Sequence, residues 1–520
     1  MDNLSANNAP ALLKSLVIYA MVVPLALLVG YLLTNPLTTS SLIFVGILGF
    51  VLVFPLLARW HYPWMLFGWS ATLILFFIKG TPNLGQAMVA LSLSLSILER
   101  ILNPQRHFVR VPSVTLPLMV FLIVVLITAK MNGGIGMHSF GSDVYGGRKY
   151  AFLFIGIAGY FALASRPIPP EKAKLYASLF LLGATTSFIG DLYPIAPSWS
   201  IIIFHFFPPS AGAIQGGFDL GEARLAGIGS AAGAVYLWML ARYGLRGIFL
   251  GGKPWRLVVL IVLGCLIFLG GFRSAIFAAG LSFIFMFFAE GLYRTRMLGI
   301  FILIALFGAT LIVPLADKLP FTFQRALSFL PIHVDPLAKE SAEASTNWRI
   351  QMWTALLPQI PPHLLVGKGY AISPEDYDQM MGGGMGFQTI DAADQGLALA
   401  GDYHNGMLSV VLCFGAWGVV AILWFMYAGL KVLYYNWKYG RPELSTINAM
   451  LLFMFFNEAA SYLSCFGGLS IATDMMYFTG PLGLSVALNH GMCRPPPKPT
   501  PMVETPGQRR LVPVLQAFQQ

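Results

Sequence analysis

The feature that most limits what this chain can become is the recurrence of apolar stretches, each near the ~20 residues a helix needs to cross a hydrocarbon layer of ~30 Å. In such a layer backbone polar groups must be satisfied within the segment itself, so helices are the expected solution. About 14 stretches qualify, among them Leu16 to Leu33, Leu42 to Leu57, Trp64 to Ile78, Leu175 to Ile189, Gly229 to Leu245 and Met407 to Leu433. Hydrophobic residues make up 57% of the 520 and charged ones only 10%, with a mean hydropathy of +0.71, which excludes a water-soluble globular class. The expected fold is an all-α polytopic membrane protein with one long outward loop containing short helices.

A net charge of +10 would suit a nucleic-acid partner in a soluble protein. In a membrane protein the placement of Lys and Arg reports orientation instead. With the N-terminus in the cytoplasm, about 21 of the 32 basic residues fall in cytoplasmic loops, although the longest loop lies outside. No nucleic-acid partner is therefore expected. The first apolar run lacks a small-residue cleavage site and is expected to be a retained anchor. Cys265, Cys413, Cys465 and Cys493 suggest neither a disulfide framework nor a metal cluster.

The pattern divides into an N-terminal transmembrane bundle over 1–192, a re-entrant outward segment with central spans over 193–315, a long outward loop over 316–404, C-terminal spans over 405–490, and a disordered cytoplasmic tail over 491–520. A double proline and several glycines keep Tyr193 to Arg224 from forming one regular spanning helix. The 316–404 loop holds about 10 of the 22 acidic residues. A loop that long inside a compact fold is usually functional.

Within that loop "STNWRIQMWTALLPQIPP" predicts a short helix, capped by Ser345, Thr346 or Asn347 and stopped by Pro358, with Arg349 and Trp353 on one face. Taken alone it fits an amphipathic helix on the bilayer surface. The "MGGGMG" run from Met381 to Gly386 reads as a hinge, and Glu375, Asp376, Asp378, Asp391 and Asp394 lack the spacing of an ion-binding loop. No metal and no cofactor are expected.

Isolated charges at span ends carry the strongest functional hints. Arg273, in "LGGFRSAIF", lies between two apolar runs with almost no loop around it, where an ionisable group points to function by default. Arg224 also lies outward, with Glu222 at hand to pair with it, so structural and binding roles both stay open. Arg148 and Lys149 read as interfacial anchors, Glu458 as a group of the helix packing or of a polar cavity lining, and Asp191 as closing a span on the outer side. The other seven histidines read as ordinary hydrogen-bonded residues.

In "YHNGMLSVVLCFGAWG", His404 and Asn405 are followed by nine residues, Gly406 to Phe414, and then by Gly415, Ala416, Trp417 and Gly418. This spacing resembles the signature of the O-antigen ligase and Wzy-type polymerase superfamily. Three upstream landmarks also look like that family: Arg273, Arg349 in "NWRIQMW", and "GKGY" from Gly367 to Tyr370. The likeness covers Leu257 to Leu433 best, and departs at Phe272, where relatives often carry Ser.

The resemblance implies a membrane glycosyltransferase of the bacterial cell inner membrane with its active site on the periplasmic face. Its donor would be an undecaprenyl-diphosphate-linked glycan, and its acceptor a hydroxyl of lipid A core or of a growing glycan. The chemistry suits the residues. Arg273 and Arg349, with Arg224 as a weaker third, would hold the diphosphate leaving group in bidentate forks. His404 would act as general base on the acceptor hydroxyl. Asn405, Trp353 and Gly415 would support the site, and one displacement without a metal would invert the anomeric centre. Polymerase and ligase share this step and differ only in acceptor; a transporter or flippase of lipid-linked oligosaccharides is the alternative from another class.

Overall fold

The computed structural model describes residues 58–78, 80–105, 107–136, 144–210, 213–214, 225–373, 401, 403–464 and 471–495, with isolated positions between 19 and 55. The expected spans Leu16 to Leu33 and Leu42 to Leu57, Arg224, Glu222, the Met381–Gly386 hinge, the acids between 375 and 394, and the tail after 495 lie outside the described residues.

Helix dominates, and among the described residues there is no strand, only isolated bridges at Ile74–Asn83 and Tyr145–Ile372. In chain order the main helices are α1 over 58–68, α2 (Leu84–Leu102), α3 (Pro112–Met131), α4 (Gly147–Leu163), α5 (Pro170–Leu182), α6 (Ala226–Phe249) and α7 (Trp255–Leu269). There follow α8 (Arg273–Ala289), α9 (Met297–Leu315), α10 (Phe321–Leu327), α11 (Pro336–Leu356), α12 (Gly406–Tyr439), α13 (Ser445–Leu463) and α14 (Ile471–Leu488). Among the described residues, five helical stretches are long and apolar enough to cross a membrane: α2, α3, Pro170–Asp191, Met297–Lys318 and α12. The protein is a helical membrane protein.

Their outer faces are apolar, as a lipid environment requires. Ile123, Ile127, Val420 and Tyr427 are exposed on α3 and α12, while the buried faces of the same helices carry Val114, Leu118, Phe121, Phe414 and Phe425. Small residues let the backbones approach. A Cβ on Gly156 of α4 would stand 2.8 Å from Met475 Cβ of α14, and one on Gly483 would stand 2.8 Å from Leu163 Cβ. These two helices form one of the main contacts of the bundle, and α12 packs against α3, α13 and α14. Phe425, Phe455, Phe478 and Tyr462 join α12, α13 and α14 through edge contacts.

Three predicted elements differ from what forms. The span expected from Trp64 to Ile78 is helical only through Gly68; beyond it an irregular ribbon pairs Ile74 with Asn83 and Leu84 N–H with Leu73 O, and donates Ile74 N–H to Phe206 O. The close approach of Gly68 and Gly85 sets that turn, since a Cβ at Gly85 would lie 2.5 Å from Gly68 O. The stretch from Leu175 to Ile189 is α-helical to Leu182 and tightens into a 3₁₀ turn over Gly183–Ser187 before a last turn at Phe188–Asp191. The loop helix begins at Pro336 with Asp335 as its cap, ten residues before the expected one. Its end agrees with expectation: Pro358 falls in the 3₁₀ turn Leu357–Gln359 that closes it.

Over residues 193–210 the segment forms only short turns, at Tyr193–Ile195, Ser198–Ser200 and Ile203–Phe206. Trp199, Ile195 and Ile202 are exposed along it, which suits an interfacial strap.

Candidate functional site

Helix α11 organises the site. Asp335 accepts the Leu337 N–H at 2.8 Å and Pro336 takes the first helical position, where its missing N–H costs nothing. The first half of the helix is pinned by a cation: Arg273, the first residue of α8, donates from Nη2 to the Ala342 carbonyl at 3.2 Å. Arg273 can start a helix there because Gly271 takes φ +66° and Phe272 is extended, so the chain leaves α7 and re-enters α8 within a few residues.

Arg349 lies two turns further along α11 and is half-buried, with its Nε enclosed and without a hydrogen-bond partner. Burial, and next to it the charge of Arg273, hold its pKa below the ordinary arginine value. Neither arginine pairs with a carboxylate among the described residues. Two guanidiniums that feel each other with no intervening acid form a region of positive potential suited to an anion.

His404 comes to the same helix from the other side. Its imidazole meets the Trp348 ring edge-on with centroids 5.3 Å apart, and Trp348 is the neighbour of Arg349. The preceding backbone is held too: Trp353 donates its indole N–H to the Tyr403 carbonyl at 2.7 Å. His404 itself takes φ +49°, a left-handed conformation uncommon for a residue with a Cβ and concentrated at functional positions. Asn405 then caps α12, its Oδ1 accepting the Leu408 N–H at 3.1 Å, so the positive end of that helix dipole lies beside the imidazole.

The glycine of the motif has a structural cause. At Gly415, with φ +65° and ψ −167°, α12 is interrupted, freeing groups that a continuous helix would bond internally. The segment Leu364–Gly369 fills the break: Lys368 N–H donates to Leu412 O (2.8 Å), Gly369 N–H to Cys413 O (2.9 Å), and Ala416 N–H to Leu364 O (2.7 Å). A Cβ at Gly415 would lie 2.7 Å from Leu365 O, and one at Gly367 would collide with the Cys413 backbone. "GKGY" and the glycine eleven positions after His404 are thus two halves of one contact. Asn132 adds a bond from Nδ2 to Gly367 O at 2.9 Å, and Tyr150 hydroxyl accepts the Tyr370 N–H at 3.0 Å.

The structure therefore sets Arg273, Arg349, Trp353, His404 and Asn405 around α11 and the start of α12, while Gly415 lies further along α12 against the Leu364–Gly369 segment. The other singled-out charges have local roles. Arg148 donates to Thr81 Oγ1 at 3.2 Å and lies over Phe152, while Lys149 lies over the Tyr370 ring. Asp191, fully buried, accepts from Ser210 Oγ at 2.7 Å and from Ile228 N–H at 2.8 Å, which caps α6. Glu458 lies within α13. Among the described residues no group of three or more His, Cys, Asp or Glu could hold a metal ion.

Sequence reasoning missed Trp348, Tyr403, Lys368 and Tyr462. Lys368 Nζ stands 5.4 Å from the Tyr403 ring centre, placing a further cation beside the histidine's neighbour. Tyr462 of α13 lies flat against Gly406, where a Cβ would come within 2.4 Å of its ring, and its hydroxyl is 3.1 Å from Ser409 Oγ. Trp348 and Tyr403 each adjoin a singled-out residue, so adjacency was the available signal; Tyr462 had none. No protein-family model matches the chain, and a search of curated proteins returns no match either.

Proposed function

We propose that this protein is a membrane glycosyltransferase that moves a glycan from an undecaprenyl-diphosphate-linked donor to a hydroxyl acceptor at the periplasmic face of a bacterial inner membrane. The observation that carries the reading is the meeting of two guanidiniums without carboxylate partners among the described residues, Arg273 and Arg349, with the imidazole of His404 around one helix.

The donor's anomeric carbon is already activated, so the barrier lies in charge building on the departing diphosphate and in the proton of the attacking hydroxyl. Arginine forks aimed at phosphate oxygens stabilise that charge as it develops. His404 takes the hydroxyl proton as the C–O bond to the acceptor forms and the bond to the diphosphate breaks; such a base contributes ~10²- to 10⁴-fold. One displacement from the face opposite the leaving group inverts the anomeric configuration. The Trp348 contact and the Trp353–Tyr403 bond fix the ring in place for that transfer.

The test is a reaction with purified protein in liposomes, lipid-linked donor and acceptor. A new glycosidic bond with inverted configuration is expected, and His404→Ala is expected to reduce its formation by at least ~10²-fold while the protein remains folded. Movement of donor between leaflets with no bond formed would instead identify a flippase. Glycans from a deletion strain then separate the two acceptor classes: loss of long polymer marks a polymerase, and polymer left unattached marks a ligase.

A further inference from the structure

The short helix α10 carries a cation that the sequence reading did not single out. Arg325 is only 8% exposed, its Nε is enclosed without a hydrogen-bond partner, and it has no carboxylate partner among the described residues. One turn earlier on the same face, Thr322 is 3% exposed and its hydroxyl is also buried without a partner. Each orphaned donor has a desolvation cost, and a buried guanidinium without a counter-charge costs far more than a hydroxyl. Their neighbours do bond: Gln324 donates from Nε2 to Asp317 O and Leu319 O and accepts the Asp335 N–H, holding α10 against the start of α11.

Helix α10 packs on α11 and also touches α7 and α8. Phe323 stacks on Phe268 at 4.9 Å, and Ala338 and Ala342 of α11 are small and buried. Ala342 is the residue whose carbonyl Arg273 holds. The unpartnered donors of α10 therefore belong to the same group of helices as the arginine pair.

We infer that Arg325 and Thr322 form an oxyanion-binding subsite that takes a phosphate group, with the guanidinium supplying the charge and the hydroxyl a second donor. Resting on the proposed donor, this phosphate is part of the lipid diphosphate. The same chemistry would also accept a free phosphate, so the test has two arms.

Farnesyl diphosphate and inorganic phosphate are titrated calorimetrically into the full-length protein in detergent, for wild type, Arg325→Met, Arg325→Lys and Thr322→Val. Farnesyl diphosphate is expected to bind about tenfold or more weakly to Arg325→Met and several-fold more weakly to Thr322→Val, with Arg325→Lys between wild type and Met because the fork is lost but the charge kept. Parallel losses for inorganic phosphate show that the subsite reads the oxyanion alone; losses confined to the prenyl compound assign it to the lipid donor. Without ligand, Arg325→Met is expected to melt no lower than wild type, since an uncompensated charge has been removed. Unchanged affinity for both probes in folded Arg325→Met overturns the inference, and Thr322→Val, close to isosteric, decides it should Arg325→Met fail to fold. Full transfer activity in Arg325→Met alongside loss of transfer in His404→Ala would sink this subsite alone. Arg325-dependent binding in a protein that forms no glycosidic bond would keep the subsite and sink the transferase reading.

Discussion

The indole N–H of Trp353 reaches the carbonyl of Tyr403 at 2.7 Å, tying the loop helix to the residue before the histidine across fifty positions of sequence. This bond couples the placement of Arg349 to that of His404, because Arg349 and Trp353 sit one turn apart on α11. Arg349 and the backbone that leads into His404 are thus held by one helix.

Replacing Trp353 with Phe keeps much of the ring and removes the donor. The Tyr403 carbonyl loses a bond worth about 1 kcal/mol, so the fold should survive. Transfer should fall about tenfold or more in kcat with KM for the donor little changed, since the loss is of base positioning. Steady-state kinetics on the purified variant check this.

Gly415→Ala tests the break in α12. The substitution puts a Cβ at φ +65° and 2.7 Å from Leu365 O, so strain and collision add. A cost of about 1–3 kcal/mol from the backbone alone is expected. Thermal unfolding in detergent should show a clear fall in the melting temperature, and the Leu364–Gly369 segment should become more open to proteolysis.

Much of this arrangement was legible in the sequence, for physical reasons that differ by element. The apolar runs of α3, α9 and α12 could be read directly, because crossing a bilayer demands uninterrupted hydrophobicity. The stretch from 71 to 78 is equally apolar and forms no helix, since hydropathy alone does not separate a span from a ribbon packed beside one. The start of α11 was misplaced although Asp335-Pro336 is a good cap and first-turn pair; the Ser345-Thr346-Asn347 cluster, now inside the helix, offered a competing one. The site residues could be named singly by motif spacing. Their joining through Trp348, Tyr403 and the Gly367–Cys413 contact depends on packing between distant segments, which spacing does not record.

Gly406 and Tyr462 offer a double-mutant cycle. Gly406→Ala should destabilise the protein because its Cβ would fall within 2.4 Å of the Tyr462 ring. Tyr462→Leu should relieve part of that effect, leaving a coupling of about 0.5–3 kcal/mol. Additive melting shifts would mean that the two residues do not meet as described.

Arg349→Lys keeps a charge but loses the planar fork. Donor kcat/KM should drop by about tenfold or more, whereas the unliganded protein should keep its melting temperature, because Arg349 feels the like charge of Arg273 and pairs with no carboxylate among the described residues. A large fall in stability with unchanged kinetics would assign the residue to structure instead.

The most direct measurement is the affinity of the purified protein for undecaprenyl diphosphate, compared across wild type, Arg273→Gln, Arg349→Gln and His404→Ala. The two arginine variants should each bind about tenfold or more weakly, while His404→Ala should bind nearly as well as wild type and yet form no product. Equal affinity in all four proteins, or a loss confined to His404→Ala, would contradict a diphosphate clamp built from Arg273 and Arg349 beside a separate base.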